Sequence, residues 1–365
     1  MHGSPVIAAR ALACLPYVIS SRVRLARNIT GMRFPNVASA AERQAVFAAI
    51  AAALRPHGAQ ILRLDTLAPF ARKILQEQYL ISQAAIASVA FAGVARFPAD
   101  HAAILINEED HLRIQAIQPG FDLTAAWETV QRVENFCRPT LDFAHTARDG
   151  YVTACPANAG SGRRISVMLF VPGLILTKQV IPVLQRCVAQ GCTVRGAYGE
   201  GSAAQGDTVQ ISTQPAWPER SQEDALARLT RQCHTLFAQE RQARQHLLRS
   251  PTAPFWSRLR WAQDALQRVT LLTLAAGQRL IAMTRLAVAC GVTCQPLQRP
   301  TTSRAMQAML QRLDELAIHI QPAHLRQYAK QPQIQRDLAI SADADPHTTE
   351  NLLRAHLIQR AFRDM

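Results

Sequence analysis

"HAAILINEEDHLRIQAI", His101 to Ile117, decides how the chain folds. Two strand-like runs, AILI and LRIQAI, flank three consecutive carboxylates, Glu108, Glu109 and Asp110. The pattern predicts an antiparallel pair with a polar tip. Such a tip lies at the end of a sheet, where clustered acids can orient a cation and accept a proton as a bond forms. His111, inside the same packed hairpin, reads as a hydrogen-bonding core residue rather than a base.

Outward from this hairpin the pattern repeats. GYVTACP and RISVMLFVP flank a small-residue loop, and CTVRGAY and DTVQIST flank another, so both pairs are expected to be antiparallel. Between them AERQAVFAAIAAALR, APFARKILQEQYL and LTAAWETVQRVENFCR carry helical apolar spacing. Helices mixed irregularly with such strands indicate an α+β fold, an antiparallel sheet flanked by helices, rather than a doubly wound sheet. SQEDALARLTRQCHTLFAQERQARQHLLR is a long helix pattern broken by Pro251 and Pro254. Helix then follows helix, so residues 1–250 are expected to form the α+β catalytic domain and 256–365 a small all-α domain. The Leu and Met stripes of the latter read as core or as a dimer face.

The chain has 365 residues, 48% of them hydrophobic, and a formal net charge of +14. Lys73, Lys178 and Lys330 are the only lysines among 40 basic residues, leaving 37 arginines. Such a surface favours acidic partners. Aromatics are only 6%, and no RNP-type, KH or zinc-finger spacing occurs, which weakens a nucleic-acid reading. The eight cysteines are scattered without paired zinc-ligand spacing and read as buried thiols. PVIAARALACLPYVIS lacks a basic leader and is interrupted by Arg10, and no apolar run reaches membrane-spanning length. The expected location is the cytoplasm, with no membrane partner.

SSRVRLARN, Ser20 to Asn28, gathers Arg22, Arg24 and Arg27. Arg22 and Arg24 have the period-2 spacing of one strand face; Arg27 does not and is assigned to structure. A solvated basic face, a nucleic-acid contact and a cage for a small polyanion all remain open from this stretch alone. CPANAGSGRR, Cys155 to Arg164, is a small-residue loop ending in arginine, without the lysine or spacing of a P-loop. VRGAYGEGSAAQGD places Arg195 at a strand end and Glu200 inside a glycine-rich loop. With Arg113, the chain offers arginines repeatedly at sheet edges and loops, where scaffolds carry function.

SSRVRLARN, NEEDHLRIQ, CPANAGSGRRISVM and VRGAYGEGSAAQGDTVQIS, in this order, resemble the guanidino (phosphagen) kinases, and more closely their bacterial branch that phosphorylates arginine in proteins. Met168, where small-molecule kinases usually have histidine, the YGEGS loop, and RLIAMTRLAVACGV and QPAHL near the C-terminus favour that branch. So does the first motif's start at residue 20, from which the helical N-terminal domain of small-molecule kinases is expected to be absent.

The resemblance implies that Ser20, Arg22, Arg24, Arg113, Arg164 and Arg195 bind ATP. Glu109 would be the catalytic carboxylate, Glu200 the grip on the substrate guanidinium, and Glu108 a carboxylate that helps position Mg²⁺ through water. Cys155 would modulate the substrate pocket. Implied partners are arginine-containing protein substrates, a heat-shock repressor, a zinc-containing activator and a Clp-type unfoldase, within a stress response and as a homodimer. A small-molecule guanidino kinase and a non-catalytic adaptor with a kinase fold are the alternatives. Arg163, Phe170 and Thr213 depart from the family pattern without removing a catalytic group. In the last helix Glu350 and Asn351 replace the Arg-Asp of the family's phosphoarginine receptor, and Arg354 is kept.

Overall fold

The computed structural model describes residues 16–83, 85, 90–196, 205–213, 222–250, 252–294, 297, 300–338 and 345–365. Its centre is an eight-stranded sheet of order β2-β3-β4-β5-β1-β8-β10-β9, every neighbouring pair antiparallel. In chain order the strands are β1 Val18–Arg27, β2 Gln60–Arg63, β3 Gly93–Phe97, β4 Ala102–Ile106, β5 Leu112–Pro119, β8 Arg163–Phe170, β9 Cys192–Arg195 and β10 Thr208–Thr213. The hairpin of the opening stretch is β4 and β5, as its alternation predicts. Arg22 and Arg24 fall on β1, between β5 and β8.

The sheet has two unlike faces. Val23 and Leu25 of β1, Ile114 and Ala116 of β5, Ile165 and Val167 of β8 and Ile211 of β10 lie in one buried apolar cluster. It is completed by α1 (Ala40–Leu54), α3 (Leu123–Cys137) and the long α6 (Gln222–Arg249). Ser39 starts α1 with a reciprocal capping box to Glu42, which satisfies otherwise orphaned backbone donors. Arg27 points to this helical side. It is 3% exposed, bonds Glu134 of α3 at 2.7 Å, and lies over the Tyr151 ring, so its structural assignment holds. On the opposite face, β2 to β4 are covered by α2 (Pro69–Glu77) and the turn after it, around Leu75, Ile81, Val94 and Leu105.

One expected hairpin does not form. GYVTACP contributes only β7 (Gly150–Tyr151), paired with β6 (His145–Thr146), while RISVMLFVP, as β8, pairs with β1 and β10. The backbone of 152–158 is engaged elsewhere. Val152 N–H donates to Ala144 at 2.9 Å, Ala154 N–H to Asp110 at 2.8 Å, and Pro156, which has no N–H, opens a 3₁₀ turn. The pair made by CTVRGAY and DTVQIST does form, as β9 and β10. Strands β2 and β3, and the short helices α4 (Pro172–Leu176) and α5 (Val180–Ala189), were not read from the sequence.

After α6 the described chain is helical: α7 Pro254–Arg268, α8 Leu274–Ala289, α9 Ser303–His319, α10 Pro322–Tyr328, α11 Pro332–Leu338 and α12 Pro346–Arg363. Met283, Met309, Leu280, Leu286 and Leu313 are buried there in a second cluster, which also takes in Phe170, Leu176 and Leu247 from the preceding part. No described helix is long and apolar enough to cross a membrane.

Candidate active site

The register assembles the site. Arg24 of β1 stands directly opposite Arg164 of β8 and Gln115 of β5; Arg22 stands opposite Ser166; Ala26 stands opposite Arg113. Ser212 of β10 pairs with Ser166, and Gln210 with Arg195 of β9. Directly paired residues share a face. Four separate stretches of sequence therefore place Arg22, Arg24, Arg113, Arg164 and Arg195 on the sheet face opposite α1, α3 and α6, with Ser20 further along β1.

These guanidiniums are short of counter-charge. Arg113 Nη1 bonds Glu108 Oε2 at 2.7 Å, Arg164 Nη2 bonds Ser212 Oγ at 2.8 Å, and Arg22 Nη2 donates to Gln115 Oε1. The Arg24 side chain makes no hydrogen bond or ion pair among the described residues. The Nε atoms of Arg22, Arg24 and Arg164, and Ser166 Oγ, are buried without a partner there. Burial, and then the repulsion of neighbouring guanidiniums, pushes the pKa values of Arg22, Arg24 and Arg164 well down. Around Arg24 the repelling groups are Arg22, Arg113, Arg164 and Arg195, all four of the others. A guanidinium keeps its charge in proteins, so the cluster holds positive potential that a polyanion relieves. Planar forks suit phosphate oxygens.

The carboxylates sit at the rim on the β4–β5 turn. Asn107 N–H donates to the His111 carbonyl at 3.1 Å, and Asn107 itself is left-handed (φ 54°), a conformation Asn tolerates. This tight turn aims its three acids in different directions. Asp110 is buried, accepting from Asn28 Nδ2 at 2.7 Å and Ala154 N–H at 2.8 Å. Glu108 turns to the sheet face, and Glu109 is exposed, with Asn158 Nδ2 donating to its Oε2 at 3.3 Å. Asn158 follows half-buried Cys155 in the small-residue loop, which therefore lies beside Glu109. The loop approaches β1 closely: a Cβ on Gly162 (φ 62°) would sit 2.7 Å from the Ala26 carbonyl oxygen.

His111 is structural, as expected. It is 1% exposed, accepts from Ile29 N–H through Nδ1 at 3.0 Å, and its Nε2 lies 2.9 Å from the Arg33 carbonyl oxygen, to which it donates. Burial lowers its pKa. Among the described cysteines all are free thiols. Glu200 lies outside the described residues, so its distance from Glu109 is not part of this geometry.

Both oxygens of Glu108 are engaged, by Arg113 and by Ser82 Oγ. No cluster of three or more His, Cys, Asp or Glu able to hold a metal occurs among the described residues. That donor set fits Mg²⁺ carried in by a nucleotide, since this ion keeps its waters and takes phosphate oxygens plus one or two carboxylates. Gln115, Ser212 and Ser82 were missed by the sequence reading. Gln115 could have been found, because it is two residues from Arg113 on the same strand face. At the other end of the chain Arg354 is 2% exposed, donating to the Ile320 and Leu272 carbonyls and to Asn351 Oδ1, while Glu350 accepts from Arg326. Arg354 is thus engaged inside the helical bundle.

Comparison with known proteins agrees with this architecture. Residues 43–243 match the family model of the ATP:guanido phosphotransferase C-terminal catalytic domain. Over 355 residues the chain is 34% identical to the protein-arginine kinase of Pelotomaculum thermopropionicum, covering 95% of this chain and 93% of the relative. It is also 34% identical to that of Geobacillus stearothermophilus over 318 residues, 86% of this chain and 84% of the other. Among solved structures, lombricine kinase superposes with a TM-score of 0.54 at 28% identity, over 62% of this chain and 66% of that one. The duplicated taurocyamine kinase of Schistosoma mansoni shares the fold, with a TM-score of 0.52 at 24% identity, over 63% of this chain and 34% of that one. The chain belongs to the ATP:guanido phosphotransferase family, enzymes that move a phosphoryl group between ATP and a guanidino nitrogen. Within it, the likeness over nearly the whole length is to the protein-arginine kinases.

Proposed function

We infer that this enzyme transfers the γ-phosphoryl group of ATP to arginine side chains of proteins. The observation that carries the reading is the convergence of Arg22, Arg24, Arg113, Arg164 and Arg195 on one sheet face, beside the exposed carboxylate of Glu109. Phosphoryl transfer is mainly positioning and charge neutralisation, which a fixed set of planar cations supplies. Mg²⁺, when bound, would supply further charge neutralisation, with Glu108 the residue that would help hold it.

A guanidinium is protonated and a poor nucleophile at neutral pH. Glu109 accepts hydrogen bonds from it, aligns one nitrogen and takes its proton as the N–P bond forms and the bond from γ-phosphorus to the bridging oxygen breaks. ADP departs with that oxygen, its charge met by the arginines. Glu200 is assigned the second grip on the guanidinium. The relatives named protein-arginine kinases support a protein rather than a free amino acid as acceptor. The reading extends to a cytoplasmic homodimer with a catalytic unit at 1–250 and a helical unit at 256–365. It serves a stress response, with a repressor among its substrates, a zinc-containing activator and a Clp-type unfoldase.

The test is to incubate the chain with ATP and Mg²⁺ and either free arginine or an unfolded basic protein, and to follow phosphorus NMR at neutral pH. A P–N product on the protein alone is expected. Glu109→Gln is expected to lower transfer by about 10²- to 10⁴-fold while ATP still binds. Conversion of the free amino acid with none of the protein makes the enzyme a small-guanidino kinase.

A further inference from the structure

QPAHL, Gln321 to Leu325, has no part in the chemistry above, yet it touches the site through a short path. Glu77, the last residue of α2, reaches across to the start of α10. Its Oε1 accepts from Ala323 N–H at 2.9 Å; its Oε2 accepts from His324 N–H at 3.0 Å and from His324 Nδ1 at 2.7 Å. The carboxylate fixes the tautomer by making Nδ1 the donor. Glu77 and His324 are 13% and 8% exposed at their side chains, so the contact is largely closed to water. Between the same two segments of chain the Lys330 ammonium lies 5.2 Å from the Phe70 ring centre.

The residues immediately after Glu77 hold the cage. Helix α2 ends with Leu80 N–H bonded to the Leu75 carbonyl at 2.9 Å and Tyr79 N–H to Gln76 at 2.8 Å, and Tyr79 takes the left-handed conformation (φ 59°). That closing geometry usually employs glycine; a tyrosine held there needs surrounding contacts to keep it. The turn presents the Tyr79 and Leu80 carbonyls to Gln115 Nε2 at 3.1 and 3.3 Å. Gln115, 1% exposed, accepts from Arg22 through its other amide atom. Two residues further on, Ser82 donates to Glu108, which holds Arg113. Six consecutive residues, Glu77 to Ser82, thus carry one bond set to the C-terminal helices and two to the arginines.

We propose that Glu77 and His324 are positioning residues for the cage: the strap 77–82, clamped on α10, sets through Gln115 and Glu108 where the Arg22 and Arg113 guanidiniums stand. The C-terminal helices thereby tune nucleotide affinity without touching the nucleotide. This rests on reading the cage as the ATP-phosphate site. It assigns a role to Gln115 and Ser82, and it makes α10 a point from which docking at the C-terminal region reaches ATP.

The experiment uses the full chain and measures ATP·Mg²⁺ affinity by calorimetry, KM and kcat with an unfolded basic protein, and melting temperature. Glu77→Gln is expected to weaken ATP about fivefold to tenfold, with kcat changed less than KM. Gln115→Ala is expected to weaken it as well, and the double variant by less than the product of the two losses, because part of the Glu77 effect runs through Gln115. At His324, Asn keeps a donor near the place of Nδ1–H and should retain most ATP affinity, whereas Leu should lose it. Glu77→Gln with wild-type affinity overturns the proposal, as do independent losses that multiply in the double variant, or equal behaviour of His324→Asn and His324→Leu. Should Glu77→Gln fail to fold, the His324 pair decides alone. Arg24→Met separates the two readings. If it leaves ATP affinity intact, the phosphate-cage assignment itself fails; if it weakens ATP while Glu77→Gln and His324→Leu do not, only the strap fails.

Discussion

Two groups of buried or half-buried arginines in this molecule are treated in opposite ways. In the sheet-face group, Arg24 has no partner among the described residues and is repelled by four neighbours. In the second group every guanidinium is saturated in charge, each bonded to a carboxylate and to two backbone carbonyls. Arg285 of α8 bonds both carboxylate oxygens of Asp314 at 2.8 and 3.2 Å and the carbonyls of Val18 and Pro16. Arg244 of α6 bonds Glu240 at 2.6 Å and the carbonyls of Pro16 and Phe170. Both also stack on Phe170, at 4.5 and 5.6 Å from its centre. A saturated arginine locks helices onto the first strand; an unsaturated one keeps its hydrogen-bonding capacity for a ligand. Arginine count alone carries no such distinction.

Breaking a saturated arginine should have the largest effect. Arg285→Leu strips Asp314 of its counter-ion in a site where burial already raises the pKa of that carboxyl. Removing one partner of such a pair costs about 3 to 5 kcal/mol, which urea unfolding would register. Because Arg285 also holds the Val18 carbonyl, just before Ser20 and Arg22, activity should fall with stability.

Removing an unsaturated arginine should reverse the pattern. Arg24→Met is expected to weaken ATP by roughly 1.5 to 3 kcal/mol, one charged hydrogen-bond set, while leaving unfolding stability equal or slightly higher. Arg24→Lys should recover only part of the affinity, since an ammonium is not a fork. A stability loss comparable with that of Arg285→Leu would mean that Arg24 is structural and would erase the contrast.

The smallest effect sharpens the comparison at the rim. Burial is the main cause of the lowered His111 pKa, against weaker raising by the Arg33 carbonyl and Asp110. The unfolded chain therefore binds the proton first. The stabilisation from neutral His111 is complete above its ordinary value of 6.5 and declines as pH falls below it. The slope should approach about 1.4 kcal/mol per pH unit at most, read as melting temperature between pH 7.5 and 5.5. His111→Gln, which does not titrate, should flatten that slope.

Local chemistry made the placement of several candidate residues readable. Period-2 spacing put Arg22 and Arg24 on one face, and the apolar runs around Glu108 to Asp110 placed the acids at a hairpin end. The assignment of Arg27 to structure followed from the same alternation, which points it at Glu134 on the helical side. The β7–β8 hairpin was misread because alternation specifies a strand but not its partner. Ala154 N–H had already been taken by Asp110, 44 residues away.

By itself the sequence determined the fold class, the polar tip carrying Glu109, the arginine motifs and the family they resemble, since these depend on short-range periodicity and residue chemistry. Only the tertiary structure decided which arginines crowd together short of counter-charge on the sheet face and which are bonded to carboxylates and carbonyls. That depends on strand register and on partners as distant as Arg285 and Val18, 267 residues apart. A guanidinium's role is set by the charges and carbonyls packed around it, and those are supplied by segments whose pairing no local pattern encodes.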